Sequence, residues 1–185
     1  LASETTDLDS SGFNTGSHAG DFYYTTYLRL HRLQSIEINN DGSKLFLLFY
    51  DVDNSDVDSR LYEYTLSTPY DLSTLSIVTS AGIEFTTSLT IGTDNPAGMR
   101  FSANGKRLFV TSHAHGGTMR VTQISLSKAF DTSTFTIDGN LQIGGAGHGM
   151  ADSNSQPRGI AFSKNGLQMY VTSDRDTGPD EIFHY

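Results

Sequence analysis

The chain alternates between short apolar runs and turn-forming clusters, and the spacing is that of β-strands. The centres of residues 44–51, 107–112 and 168–173 are apolar nearly throughout, which predicts strands covered on both faces. Each is preceded by Asp41-Gly42, Asn104-Gly105 or Asn165-Gly166, predicting a two-residue hairpin turn with positive φ, and by another β-rich run. A third strand is predicted at residues 60–66, 120–126 and 181–185. A fourth follows a Ser/Thr-rich turn, at residues 76–85 and 135–143. Almost no segment carries the i, i+3, i+4 stripe of a helix, and residues 23–33 favour strand or loop through their aromatic and threonine content.

This pattern is repeated. Ser35-Ile-Glu-Ile-Asn-Asn-Asp-Gly42-Ser-Lys-Leu-Phe-Leu returns as Gly98-Met-Arg-Phe-Ser-Ala-Asn-Gly105-Lys-Arg-Leu-Phe-Val and as Gly159-Ile-Ala-Phe-Ser-Lys-Asn-Gly166-Leu-Gln-Met-Tyr-Val, the turn glycines lying 63 and 61 residues apart. A second block, Tyr64-Thr-Leu-Ser-Thr-Pro-Tyr-Asp71-Leu-Ser-Thr74, returns 60 residues on as Ile124-Ser-Leu-Ser-Lys-Ala-Phe-Asp131-Thr-Ser-Thr134. Two blocks in the same order at nearly the same period divide the chain into residues 1–30, a first repeat 31–92, a second 93–153 and an incomplete third 154–185.

Four antiparallel strands per repeat with glycine turns describe β-propeller blades. Phe101-Ser-Ala-Asn-Gly-Lys-Arg-Leu-Phe-Val and Phe162-Ser-Lys-Asn-Gly-Leu-Gln-Met-Tyr-Val resemble the "FSxDGxxxYV" signature of bacterial, archaeal and phage propeller repeats of the YVTN and NHL kind. The resemblance covers all three repeats, though the first carries Ile38-Asn39 where the others carry Phe-Ser. It implies an all-β, propeller-type fold of three blades of about 62 residues and says little about chemistry, since this fold hosts many functions. The last repeat stops after its third strand, while Leu1-Ala-Ser-Glu-Thr-Thr-Asp7-Leu-Asp-Ser10 loosely resembles the start of a fourth. Three blades are too few for a closed ring. The expected partners are therefore a longer parent chain or neighbouring copies, joined by donation of the amino-terminal strand.

Composition narrows the setting. The net charge is −9 and there is no cysteine, so disulfides, thiolate metal sites and cysteine nucleophiles are excluded. The charge opposes a nucleic-acid or anionic-membrane partner, and no apolar run approaches a membrane span.

The unusual residues fall mostly between second and third strands, predicted to share one face with the connections between repeats. Asp51, Asp53, Asp56 and Asp58 give closely spaced carboxylates, read either as a solvated acidic loop or as a calcium site, since short carboxylates and carbonyls wrap a hard cation. It lacks the glycine and terminal glutamate of an EF-hand loop. Asp174, Asp176, Asp180 and Glu181 are weaker candidates, the first two also readable as turn residues. His113 and His115 have the i, i+2 spacing that lets two strand imidazoles chelate one transition metal, with a third ligand required from His148, His18 or an aspartate. The alternative is hydrogen-bonded or solvated histidine. No nucleophile elbow, zinc-protease motif, P-loop or dinucleotide fingerprint occurs.

Two functions stand at this stage. One is a non-enzymatic extracellular, virion- or cell-surface module for adhesion, scaffold assembly or glycan contact, with calcium as its candidate cofactor. The other is a metal-assisted hydrolase or lyase using His113, His115, His148 and the acidic loops to activate water.

Overall fold

The computed structural model describes residues 31–51, 59–78, 83–84, 94–114, 119–144, 150, 155–175 and 179–185. Among these, all regular structure is β apart from two single 3-10 turns at Leu72–Thr74 and Thr132–Thr134. The first sheet contains β1 (His31–Ile38), β2 (Lys44–Asp51), β3 (Arg60–Leu66), β4 (Leu75–Ile77) and β5 (Ile83–Glu84). The second contains β6 (Asp94–Phe101), β7 (Arg107–Ala114), β8 (Met119–Leu126) and β9 (Phe135–Gln142), and the third β10 (Ser155–Phe162), β11 (Met169–Arg175) and β12 (Glu181–His184). Each is an antiparallel meander in chain order, with β5 joining β4 on the outer side of β3. The sheets coincide with the three repeats. Residues 1–30, and with them any amino-terminal strand, lie outside the described residues.

Three local expectations are corrected. The hairpin connection has four residues rather than two: Ile38 pairs with Leu45, and Asn39 N–H donates to the Lys44 carbonyl at 3.1 Å. The acid or amide does not take a positive φ; its side chain accepts an N–H two residues on, at 3.0 Å for Asp41 to Ser43, 3.0 Å for Asn104 to Lys106 and 3.1 Å for Asn165 to Leu167. Within these three turns the left-handed residues are the glycines, at φ 75°, 67° and 70°. Second, the predicted strand at 76–85 is two short strands. The pairs Tyr64↔Ile77 and Leu61↔Ile83 set six residues of the outer chain against three on β3, a mismatch that one unbroken ladder cannot span. Third, β7 runs two residues beyond the expected 107–112, so His113 belongs to a strand and not to a loop.

The same positions pack the sheets together twice. Phe46, Leu48 and Leu61 of the first sheet bury against Met99, Phe101, Leu108, Val110, Ile124 and Leu126 of the second. One repeat later, Val121 and Phe109 meet Ile160, Phe162, Met169 and Val171 of the third. Phe46 on Phe101 and Phe109 on Phe162 occupy equivalent positions, each with ring centroids 4.5 Å apart. Leu45 and Leu47, on the opposite face of β2, form a further cluster with Tyr62, Tyr64 and Leu66. This two-sided burial is why the second strands read as continuous apolar runs.

Polar groups also clasp neighbouring sheets. Glu63 on β3 is 1% exposed, and its carboxylate accepts from both the backbone N–H and the hydroxyl of Thr132, each at 2.8 Å. Lys44 completes the group, pairing with Glu63 and donating to the Phe130 carbonyl at 2.6 Å.

Candidate functional site

The innermost strands β1, β6 and β10 run side by side, and all three break register at the same point. The shifts fall between Leu33 and Ser35, Pro96 and Gly98, and Pro157 and Ile160. In the second and third sheets a threonine fills the bulge, with Gly98 N–H donating to Thr111 Oγ1 and Gly159 N–H to Thr172 Oγ1, both at 2.8 Å. Thr111 then donates across the sheets to the Arg158 carbonyl at 2.9 Å. The first sheet has Leu48 and Ser35 at these positions, and the serine oxygen accepts Met99 N–H at 3.3 Å. Bulges re-aim the residues beside them. Here they lie beside a cleft of about 90 Å³.

Its walls come from equivalent places in three sheets. Gln34 and Tyr50 contribute from the first; Asn95, Pro96, Ala97 and His113 from the second; Gln156, Pro157 and Arg158 from the third. Arg32↔Tyr50, Asn95↔His113 and Gln156↔Asp174 are the same rung of each sheet, near the end where the second strand runs out toward the third. The Arg158 guanidinium reaches Asp174 Oδ2 at 2.9 Å from Nη2 and 3.3 Å from Nε, and Nη2 also donates to Gln156 Oε1 at 3.0 Å. Its charge is thereby compensated. Both partners are near half exposed, so this pair contributes little to stability, at most about 1 kcal/mol. The cleft offers carboxamides, a phenol, a half-buried imidazole and a guanidinium paired with Asp174, which together donate and accept hydrogen bonds.

Elsewhere between the first and second sheets, Glu37 on β1 accepts from the Arg100 guanidinium on β6 at 2.9 Å. Burial raises the Glu37 carboxyl above its ordinary 4.5, outweighing the lowering by the Arg100 hydrogen bond and charge. A raised folded-state value means the protonated acid favours the fold. That contribution is complete below 4.5 and is lost as pH rises through the folded value. Arg100→Ala is expected to raise Glu37 further, read by carboxyl-carbon NMR titration; an unchanged or lower value would show that Arg100 does not act on it.

The sequence-derived candidates separate. His113 lines the cleft, on β7 between Asn95 and Met119. Asp174 sits on β11 in the ion pair with Arg158, not in a turn. Asp51 ends β2 opposite His31. Asp180 and Glu181 flank the start of β12. Asp53, Asp56, Asp58, His115, His148, His18 and Asp176 lie outside the described residues. No group of three or more His, Asp or Glu among the described residues is placed to hold a metal ion. Gln34, Asn95, Gln156 and Arg158 escaped the sequence reading. The signal was Pro96-Ala97-Gly98 recurring as Pro157-Arg158-Gly159, the same distance upstream of each turn.

No family model matches the chain, and no curated protein does. Among solved structures it is similar to the periplasmic gluconolactonase PpgL of Pseudomonas aeruginosa, at 14% identity and a TM-score of 0.50. The match covers 82% of this chain and 38% of that one. The fold is β-propeller-like. At this identity the likeness concerns the fold alone, and the chain spans well under half of the length of that relative. No helix among the described residues is long and apolar enough to cross a membrane.

Proposed function

We propose that this chain is a propeller-type binding module, built from repeats of the YVTN and NHL kind and displayed outside the cytoplasm, whose inter-sheet cleft takes a small uncharged polyhydroxylated ligand such as a sugar or sugar lactone. One observation carries this reading: the same rung of three successive sheets supplies Tyr50, Asn95, His113 and Gln156 to one cleft, where the nearest strong charge, Arg158, is already paired. Carboxamides suit vicinal hydroxyls because one group both donates and accepts, and Tyr50 adds an aromatic face for a ring's C–H edge. A periplasmic structural relative supports an extracytoplasmic setting.

A second reading has a specific support of its own. The relative is a gluconolactonase, and an imidazole in the cleft is the group that activates water for opening a lactone. In that reading His113 is the general base, with His115, His148 and the acidic loop as ligands of an assisting metal. Titration of the chain with glucose, gluconate and glucono-1,5-lactone by calorimetry, with acid release followed in parallel, separates the two. Saturable binding without turnover, weakened at least tenfold by His113→Ala and by Gln156→Ala, is expected. Lactone hydrolysis abolished by His113→Ala or by a chelator would establish the hydrolase instead. No binding of glucose or the lactone, or binding of the gluconate anion alone, overturns the assignment of an uncharged ligand.

A further inference from the structure

The bulges of the three inner strands place one chemically variable position at the cleft. Leu33 and Ser35 pair with the adjacent Phe49 and Leu48, and Pro96 and Gly98 with the adjacent Ser112 and Thr111. Pro157 to Ile160 takes three steps against two from Ser173 to Val171. Each inner strand thus carries one residue more than its partner. Gln34, Ala97 and Arg158 are equivalent residues of these bulges, each eight residues before its turn glycine, Gly42, Gly105 or Gly166. None has a cross-strand partner directly opposite, so the sheet does not set the length of its side chain. All three line the cleft.

The backbone under Ala97 is held on both sides. Pro96 is buried and its ring fixes φ. Gly98 N–H donates to Thr111 Oγ1 at 2.8 Å, and the same hydroxyl donates to the Arg158 carbonyl of the next sheet at 2.9 Å. The Arg158 side chain is drawn to its own rung, where it donates to Asp174 at 2.9 Å and to Gln156 at 3.0 Å. Among the three equivalent residues, Ala97 alone ends in a methyl group. The cleft of about 90 Å³ is smaller than the ~150 Å³ of a cavity that encloses a benzene ring, so one long side chain at position 97 would take the room that a ring needs.

We infer that Ala97 is the size filter of the cleft: the ring of the ligand lies against its methyl group, between Gln34 and Arg158. This rests on the cleft being the ligand site proposed above, and adds which wall admits the ligand's bulk. The carboxamides supply hydrogen bonds and Ala97 supplies the space, so a fixed scaffold changes its selectivity through one bulge residue.

Ala97→Gln and Ala97→Arg install the side chains that the first and third repeats carry at this position, which the bulge accommodates there. Glucose binding is measured by titration of the backbone amide NMR signals. It is expected to weaken at least tenfold in Ala97→Gln and to vanish in Ala97→Arg, while Ala97→Ser stays within about threefold and all three melt within about 2 °C of the unaltered chain. Because the chain has no cysteine, Ala97→Cys carries a single thiol. Saturating glucose should slow its labelling by methyl methanethiosulfonate at least tenfold, and leave unchanged the labelling of Leu167→Cys, at a position that is 80% exposed. Glucose binding that persists in Ala97→Arg, or glucose that leaves the Ala97→Cys thiol unprotected, overturns the filter and leaves the ligand site standing. Binding lost together with a lower melting temperature shows a structural role and also overturns it. An unaltered chain that binds no glucose overturns the reading of the cleft itself, and the filter with it.

Discussion

Glu63→Ala is expected to lower the melting temperature by about 10 °C, the loss of roughly 3 kcal/mol in a chain of this size. The carboxylate is fully enclosed and takes three donors: the Thr132 backbone N–H, the Thr132 hydroxyl and the Lys44 ammonium. Two of these come from the next sheet's 3-10 turn and the third from β2 of its own. Lys44 also holds the Phe130 carbonyl. Alanine therefore strips a buried amide and a buried hydroxyl of their acceptor and leaves a mostly buried ammonium without its counter-charge. The low end of the range for a broken buried pair applies because Lys44 is 25% exposed and water can reach it in part.

Companion variants separate the contributions. Glu63→Gln keeps an acceptor for Thr132 but loses the charge, and should cost about half as much. Thr132→Val removes only the hydroxyl and should cost about 1 kcal/mol. Lys44→Met in the Glu63→Ala background should recover part of the loss, because no buried charge is then left alone. Thermal denaturation followed by circular dichroism measures all four. A shift below 2 °C for Glu63→Ala would show that the neighbouring turn holds itself without this clasp.

Much of the architecture is legible in the chain because it is written three times. The third strands, the apolar second strands and the aspartate-capped turns lie where the 60- to 63-residue period puts them. What escapes is whatever joins one repeat to the next. Glu63 stands between Tyr62 and Tyr64 in an alternating strand and reads as an outward-facing position; it is buried because Thr132, 69 residues on, folds over it. Gln123 and His184 occupy its place in the other repeats, so no periodic signal marks it. The cleft is hidden for a related reason. A bulge shifts side chains by one residue, and a one-residue shift exchanges the two faces of a strand. Period-two reasoning cannot say that Gln34, Asn95 and Gln156 converge. His113 was found from its chemistry although its element was read as loop, since the two extra residues of β7 carry no apolar pattern. The calcium and metal-chelation expectations centre on Asp53, Asp56, Asp58, His115 and His148, outside the described residues, and rest on spacing alone.

Among the described glycines, Gly98→Ala should be the most damaging change, although nothing local forbids it. Gly98 is not among the left-handed glycines, so alanine fits its backbone conformation. The obstacle is the next sheet: a Cβ there would stand 1.9 Å from the Arg158 carbonyl oxygen, a backbone atom with no rotamer to escape through. Restoring ordinary contact distance requires the second and third sheets to part by roughly 1.5 Å along their inner strands. That separation breaks the Thr111 hydrogen bond to Arg158 O at 2.9 Å and loosens the Phe109–Phe162 contact at 4.5 Å. It also carries Pro157 and Arg158 away from Asn95 and His113, opening the cleft. Overpacking plus a lost buried hydrogen bond amounts to about 3 kcal/mol, or roughly 10 °C in melting temperature, and ligand binding at the cleft should fall at least tenfold. Gly159→Ala is the matched control. It is the same substitution at the same place in the next repeat, but among the described residues its Cβ meets the Thr172 hydroxyl alone, at 3.1 Å, a side-chain atom that yields by a small shift. It should cost no more than about 1 kcal/mol and leave the cleft intact. Equal melting temperatures for the two variants would mean that the inner strands of neighbouring sheets do not press together at Gly98.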